Sequence, residues 1–188
     1  SKPCSGAMKI LVTHAGTSGQ AAGMAERVAR VLTGLGADVT VRPMSGVATV
    51  KGFSAVVAGS PEHGGCWVPE AIEFVRRNRS VLSRKPFAIF TVVSSQDMDK
   101  GAESRMVVMQ YTAHVRSMVH PMSEGFFSGE AEERESPHPG ERSRFKLRLL
   151  LGLLREGESR SHSEVETWSV RLHEQLVRLI SRKSGNRQ

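Results

Sequence analysis

Small and hydroxylated residues cluster at positions 13–25, directly after the apolar run at residues 10–12. This order is typical of a loop that leaves a buried strand and enters an amphipathic helix. The amides of such a loop and the positive end of the helix dipole concentrate partial positive charge at one point, where a phosphate group binds. Two glycines permit close approach of a ligand and two hydroxyls add donors without charge: Gly16, Gly19, Thr17 and Ser18. The pattern predicts a phosphate site, with a plain turn and helix cap as the equal alternative.

The kind of phosphate ligand follows from what this loop lacks. It contains no lysine, so it is not a nucleoside-triphosphate loop of the Gly-Lys-Ser/Thr type, and it lacks the three-glycine spacing of a dinucleotide fingerprint. Such a loop suits a cofactor held by amides and hydroxyls rather than a triphosphate that is hydrolysed.

A second glycine-rich segment, at residues 59–69, contains two prolines and a tryptophan. Trp67 is expected to stack on a planar cofactor ring, and the alternative is that it covers the end of the core. His63 suits a proton relay near neutral pH or is a solvated loop histidine, and Cys66 is either reactive or an inert thiol. The other histidines are scattered without metal-ligand spacing, so no metal site is predicted.

The elements that position these segments alternate between strand-like and helix-like periodicity. Strands are predicted at residues 8–13, 38–42, 54–59, 87–93 and 121–129, and helices at 20–35, 69–82, 102–118, 142–156 and 163–182. Such alternation predicts an α/β fold with a parallel sheet. Because ligands of these sheets bind beyond the carboxyl ends of the strands, the loops after the first, third and fourth strands are expected to form the site.

Composition bounds the class of protein. The 188 residues suit a single domain at 8–182, between a flexible leader at 1–7 and a flexible tail at 183–188. Two cysteines, one in the leader, favour a reducing cytosol, and no apolar run approaches the ~20 residues of a membrane helix. The net charge of +7 comes with only 5% aromatic residues and no basic stripe interleaved with aromatics, which argues against a nucleic-acid partner.

With these segments placed, the chain resembles the flavodoxin-like family, and within it the menaquinone-dependent protoporphyrinogen IX dehydrogenase group. The family's phosphate loop has the form Ser/Thr-x-Thr-Gly-x-Thr, against Gly16-Thr17-Ser18-Gly19-Gln20-Ala21 here. The group is further matched at residues 56–59, 71–75 and 85–86, and by an extra segment at 145–157. The resemblance covers roughly residues 8–180. It implies a three-layer sandwich whose five-stranded parallel sheet has the order 2-1-3-4-5, with helices on both faces.

The resemblance also implies a bound flavin mononucleotide (FMN). Its phosphate is expected at Gly16, Thr17, Ser18, Gly19, Gln20 and Ala21. Its ring is expected beside Pro61, Glu62, His63, Gly64, Gly65, Cys66 and Trp67, and the pyrimidine edge beside Val93, Ser94, Ser95 and Gln96. Gly16 and Ala21 replace two hydroxyl residues of the family, which weakens phosphate binding by roughly one to three orders of magnitude. A deazaflavin (F420) and no cofactor at all are the open alternatives.

Three functions stay open. The first is an FMN-dependent oxidoreductase that oxidises a small-molecule substrate such as a porphyrinogen and passes electrons to a quinone. The second is an electron carrier, which the +7 charge disfavours because such carriers are usually acidic. The third is a cofactor-free interaction module. No catalytic residue is assigned.

The partners and the location of the protein are expectations of the same kind. The basic, leucine-rich helix at 142–156 suits contact with a membrane surface, or packs on the domain with a basic exposed face. We expect a cytoplasmic protein with a redox partner. Peripheral contact with the inner face of the membrane and a homodimer are the open alternatives.

Overall fold

The computed structural model describes residues 7–17, 19–94, 102–129 and 155–185 of the chain. Its strands are β1 (Lys9–His14), β2 (Asp38–Pro43), β3 (Ala55–His63), β4 (Cys66–Trp67), β5 (Phe87–Ser94) and β6 (Ser123–Gly129). Its α-helices are α1 (Gln20–Gly34), α2 (Pro69–Leu82), α3 (Ala102–Gln110), α4 (Ala113–Met118) and α5 (Arg155–Gly185), and a 3-10 turn spans Met44–Gly46.

Five strands form a parallel sheet in the order β2-β1-β3-β5-β6. The two-residue strand β4 lies off this path and pairs antiparallel with the end of β3. With β4 set aside, the predicted α/β architecture and the predicted strand order 2-1-3-4-5 are confirmed. This order reverses direction between β1 and β3, which is where open α/β sheets bind ligands.

Two apolar cores lie on opposite faces of the sheet, so the protein has three layers. On one face, Ile10 and Phe90 pack among buried residues of α1 and α5. On the other face, Leu11 and Ile89 pack among buried residues of α2 and α4. Strands covered on both faces become continuous apolar runs, which is why the sequence of β5 is so clearly hydrophobic.

Helix boundaries follow local chemistry. Pro69 opens α2 at a position where its missing N–H costs no helical hydrogen bond. At the end of α1, the Gly36 amide donates to Thr33 O over 3.0 Å and the Ala37 amide donates to Leu32 O over 3.1 Å. This pair of bonds is the Schellman arrangement, and it confirms the predicted glycine cap.

Three predicted boundaries are wrong. Residues 60–63 were expected in a loop, but they extend β3 because β4 folds back and pairs with them. The single helix expected at 102–118 is two helices, since the buried Thr112 hydroxyl binds Glu124 and the chain turns there. The final helix begins at Arg155 and not at residue 163, and it continues to Gly185, into the expected tail, because no proline interrupts this segment.

Two other expectations fall partly or wholly outside the described residues. Residues 1–6 of the expected leader are outside them, and so is the basic helix at 142–156 up to residue 154. Its last two residues belong to α5. The domain limits therefore stay predictions. In the described ranges, no helix combines the length and apolar character needed to cross a membrane.

Candidate functional site

The β1–α1 loop, the end of β3 and the end of β5 lie at one edge of the sheet. The Ala15 amide donates to Gly59 O over 2.9 Å, which fastens the start of the β1–α1 loop to β3. A Cβ placed on Gly16 would lie 3.0 Å from Pro61 Cγ, so the first loop contacts the second predicted segment directly. Pro61 is in register with Val92 of β5. The three predicted parts of the site are therefore neighbours.

The β1–α1 loop has the geometry of an anion-binding turn. Gly16 and Gly19 have φ angles of +90° and +78°, and Gly19 is the N-cap of α1. Within the described part of the chain, no side chain caps this helix and its first turn contains no acidic residue. The first amides of a helix have no intrahelical acceptor, so an anionic ligand can bind there. This geometry supports the predicted phosphate site.

The remaining loop residues differ in access. Thr17 is exposed and Gln20 is half-buried, whereas Ala21 is buried against the sheet in the α1 core. Ala21 therefore contributes its backbone and packing, not a contact surface. Ser18 lies outside the described residues.

Glu70 also reaches this loop, and the sequence analysis did not identify it. The Gly16 amide donates to Glu70 Oε2 over 3.1 Å. Glu70 is exposed and lies in the first turn of α2, immediately after Pro69. Because helices that follow parallel strands begin at the ligand edge, an acid beside Pro69 was the available signal.

His14 ends β1 directly before the loop. Burial lowers the pKa of His14 below its ordinary value of 6.5, and the carboxylates of Glu70 and Glu26 oppose that shift. Its Nδ1 is buried without a hydrogen-bond partner among the described residues. The imidazole is therefore neutral at pH 7, and it supplies no cation to the loop.

The second predicted segment forms a β3–β4 hairpin whose turn is Gly64–Gly65. Inside it, the Gly65 amide donates to Glu62 Oε1 over 2.6 Å, and the Cys66 thiol donates to His63 O over 3.6 Å. Pro61 and Glu62 are half-buried, while the four residues from His63 to Cys66 are exposed. The hairpin thus exposes the backbone of its two turn glycines together with His63 and Cys66.

Trp67 does not present a ring face at this edge. Its side chain is only 1% exposed, and its Nε1 donates to Thr91 Oγ1 over 2.8 Å in the core between the sheet and α2. The antiparallel pairing of β4 with β3 places the indole inward. Its burial argues against the predicted stacking and favours the alternative, in which Trp67 covers the end of the core and supports the hairpin from below.

The end of β5 is the third predicted part. Val93 is buried and packs with Val108, Tyr111 and Phe126, so its side chain is structural. Ser94 is exposed. Ser95 and Gln96 lie outside the described residues. Among the described residues of this part, the backbone of Val93 and Ser94 lie where the polar contacts are predicted.

An open groove adjoins the start of α1, and the sequence analysis did not anticipate it. Its volume is about 80 Å³, well below the ~300–1,000 Å³ of pockets that enclose a whole ligand. It is lined by Gly19, Gln20, Gly23, Met24, Arg27, Ser128 and Gly129. The end of β6 therefore borders the loop, and Arg27 is a cation one turn beyond the groove's glycines.

In the ranges that the structure describes, no group of three or more His, Cys, Asp or Glu side chains is arranged to hold a metal ion.

Similarity to known proteins agrees with this fold. The sequence profile of a family described as a flavodoxin domain matches residues 11–135. The fold superposes on a flavodoxin from the domain Archaea with a TM-score of 0.55, at 15% identity, over 90% of this chain and 99% of that one. Streptococcus pneumoniae TIGR4 flavodoxin superposes with a TM-score of 0.56 at 15% identity, over 89% of this chain and 99% of that one. Oxidised flavodoxin 2 from Bacillus cereus superposes with a TM-score of 0.55 at 17% identity, over 89% of this chain and 99% of that one. These likenesses establish a flavodoxin-like fold. No curated protein sequence matches the chain.

Proposed function

Since the chain belongs to the flavodoxin domain family, we propose that it binds a flavin, FMN in the first instance, at the carboxyl edge of its sheet and transfers electrons through it. The observation that supports this most is the N-terminus of α1, where Gly19 is the N-cap and no side-chain cap is present among the described residues. Backbone amides at a helix N-terminus are suited to bind phosphate oxygens. The described loop therefore fits the phosphate end of the cofactor.

Different segments of the chain would contact different parts of the flavin. Loop amides from Gly16 to Ala21 would hold the phosphate. The exposed hairpin turn from His63 to Cys66 would flank the ring, and Ser94 would contact its polar edge. The flavin, when bound, supplies the redox chemistry, and the protein sets its environment. Trp67 would act indirectly, by supporting the hairpin through its bond to Thr91.

An absorption spectrum of the purified protein, followed by titration with FMN, tests this function. We expect flavin absorption bands or saturable quenching of FMN fluorescence. A sharper test uses Ala22, the third residue of α1, which is half-buried. In Ala22→Asp, a carboxylate competes with phosphate for the first-turn amides, while the helix itself tolerates an acid there. The neutral, similarly sized Ala22→Asn is the matched control.

The expected order of FMN affinity is wild type, close to Ala22→Asn, and well above Ala22→Asp. A wild-type protein that is colourless and ignores FMN would contradict the FMN proposal. F420 would then be titrated in the same way, and failure of both would favour a cofactor-free interaction module. Equal FMN affinity in the two variants would show that the phosphate does not bind at this loop, even if the flavin binds elsewhere.

The narrower proposal, oxidation of a porphyrinogen with electron transfer to a quinone, is supported by the sequence resemblance alone. Its tests are the appearance of porphyrin fluorescence from a porphyrinogen and the reoxidation of reduced, flavin-loaded protein by a menaquinone analogue. An electron carrier would fail the first assay and exchange electrons with a protein partner instead. The +7 charge suits an acidic partner surface in that case.

Membrane contact and self-association belong to the same proposal and have separate tests. Flotation with anionic lipid vesicles tests the first. If the wild-type protein stays in the dense fraction and does not float with the vesicles, a membrane surface is excluded as a partner. Sedimentation of the flavin-loaded protein tests for the homodimer.

A further inference from the structure

The carboxylate of Glu70 occupies a backbone donor that the proposed function assigns to a ligand. Its Oε2 accepts the Gly16 amide over 3.1 Å, although 54 residues separate the two in the chain. Any phosphate oxygen that approaches this amide must displace the carboxylate or share the donor with it. Both groups are anions at neutral pH, so sharing brings like charges close together.

We propose that Glu70 determines which ligands this edge accepts: its carboxylate lowers the affinity for a phosphate group relative to the same ligand without phosphate. This inference rests on the proposed flavin site. A flavin whose side chain ends in a hydroxyl, such as riboflavin, avoids this repulsion, because a hydroxyl can donate to the carboxylate. FMN and riboflavin differ only in that terminal phosphate.

The charge of Glu70 has no close counter-ion in the described part of the chain. Arg76 pairs with Glu73 and Arg116 pairs with Glu124, and neither pair includes Glu70. His14, which interacts with Glu70, is neutral at pH 7 because burial lowers its pKa. Among the described residues, no cationic side chain pairs with the carboxylate that faces the loop.

A carboxylate in the first turn of a helix also has an ordinary role, since it complements the dipole of its own helix. Glu70→Gln separates the two roles. Glutamine keeps an oxygen that can accept the Gly16 amide and keeps the length of the side chain, but it removes the charge. Glu73→Gln is the matched control, because Glu73 is exposed on the same helix and pairs with Arg76 instead of the loop.

The test measures dissociation constants for FMN and riboflavin with wild type, Glu70→Gln and Glu73→Gln. We expect Glu70→Gln to raise FMN affinity about tenfold, equivalent to ~1.4 kcal/mol, as suits like charges about 4 Å apart in a solvated site. Riboflavin affinity should change less than about twofold, and Glu73→Gln should change neither affinity by more than that. Equal changes for both flavins, or equal effects of the two variants, would overturn the inference.

A second measurement separates this inference from the proposed function. If neither flavin binds any variant, the flavin proposal fails, and inorganic phosphate then tests Glu70 alone. Amide resonances of Gly16 and Gly19 are followed by NMR as phosphate is added. Half-saturation of these shifts at a several-fold lower phosphate concentration in Glu70→Gln than in wild type supports the inference. The same concentration in both proteins, or no shift in either, overturns it.

Discussion

Replacing Gly16 with alanine is expected to cost more stability than replacing Gly19, although both glycines have positive φ angles. The φ angles are +90° at Gly16 and +78° at Gly19, so backbone strain should destabilise an alanine by a similar amount, about 1–3 kcal/mol, at either position. The neighbours differ. A Cβ on Gly16 would lie 3.0 Å from Pro61 Cγ, whereas a Cβ on Gly19 would have no atom within 4 Å among the described residues beyond its chain neighbours.

The difference between the two variants comes from that one contact. Carbon atoms attract most at about 3.5–4.0 Å, so Pro61 or the loop must move by several tenths of an ångström. Overpacking of this kind costs about 1–3 kcal/mol in a rigid core. Because Pro61 is only partly buried, we expect the lower end of that range. Gly16→Ala should therefore be about 1 kcal/mol less stable than Gly19→Ala.

Urea unfolding of both variants measures this difference, and Pro61→Ala in each background identifies its source. Removing the proline ring should recover most of the extra cost at position 16 and none at position 19, since only the first pair is coupled. Equal destabilisation of the two single variants, or a coupling energy of zero between positions 16 and 61, would refute the contact between the loops. FMN titration of the same variants adds a functional readout. Both substitutions should weaken FMN more than riboflavin, because they redirect amides that face the phosphate.

Three further predictions concern the elements around the site. Gly59→Ala should lower the free energy of unfolding by about 1–3 kcal/mol, because its Cβ would lie 1.9 Å from Phe90 Cζ. Adding Phe90→Leu should restore part of that stability. An unchanged urea midpoint in Gly59→Ala would contradict this prediction. Lys85→Met should lower the free energy of unfolding by about 1–3 kcal/mol, because Lys85 Nζ donates to three loop carbonyls. In the same urea assay, Lys51→Met at an exposed position should change that free energy by less than about 0.5 kcal/mol. Burial lowers the pKa of His14 below 6.5 in the folded protein. As the pH falls, His14 therefore binds its proton at a higher pH in the unfolded chain than in the folded one, and the stability of the fold should decrease below about pH 6.5. His14→Gln should show a smaller fall in unfolding free energy between pH 7.5 and 5.5, and an equal fall would exclude His14 as a contributor.

The elements that could be predicted are those whose signal is local. Apolar runs at residues 10–12 and 87–93 become buried strands because helices cover both faces of the sheet. Pro69 and Gly36 mark helix ends through backbone chemistry of their own. The position of the β1–α1 loop follows from parallel topology, which places it at the carboxyl edge whatever its side chains are.

The features that could not be predicted depend on pairing between distant segments. Trp67 looked like a ring platform, yet a two-residue strand gives no alternation from which to assign a face. Its inward orientation depends on pairing with β3 and on a hydrogen bond to Thr91, 24 residues away. The break between α3 and α4 similarly depends on Glu124, which binds Thr112 and Arg116 from the neighbouring strand. No local pattern in the helix signals this contact.

Glu70 has the largest consequence for function among these long-range contacts. From the loop sequence alone, weak phosphate binding was attributed to two missing hydroxyls, at Gly16 and Ala21. Ala21 is buried, so its backbone and not its side chain faces any ligand, and a hydroxyl there would have to reach out of the core. The carboxylate on the Gly16 amide would act on the same step, because it carries a negative charge at a donor that a phosphate oxygen needs. On the proposal above, the affinity of this edge for phosphate therefore depends on the acid after Pro69 as well as on the hydroxyl residues that the loop lacks.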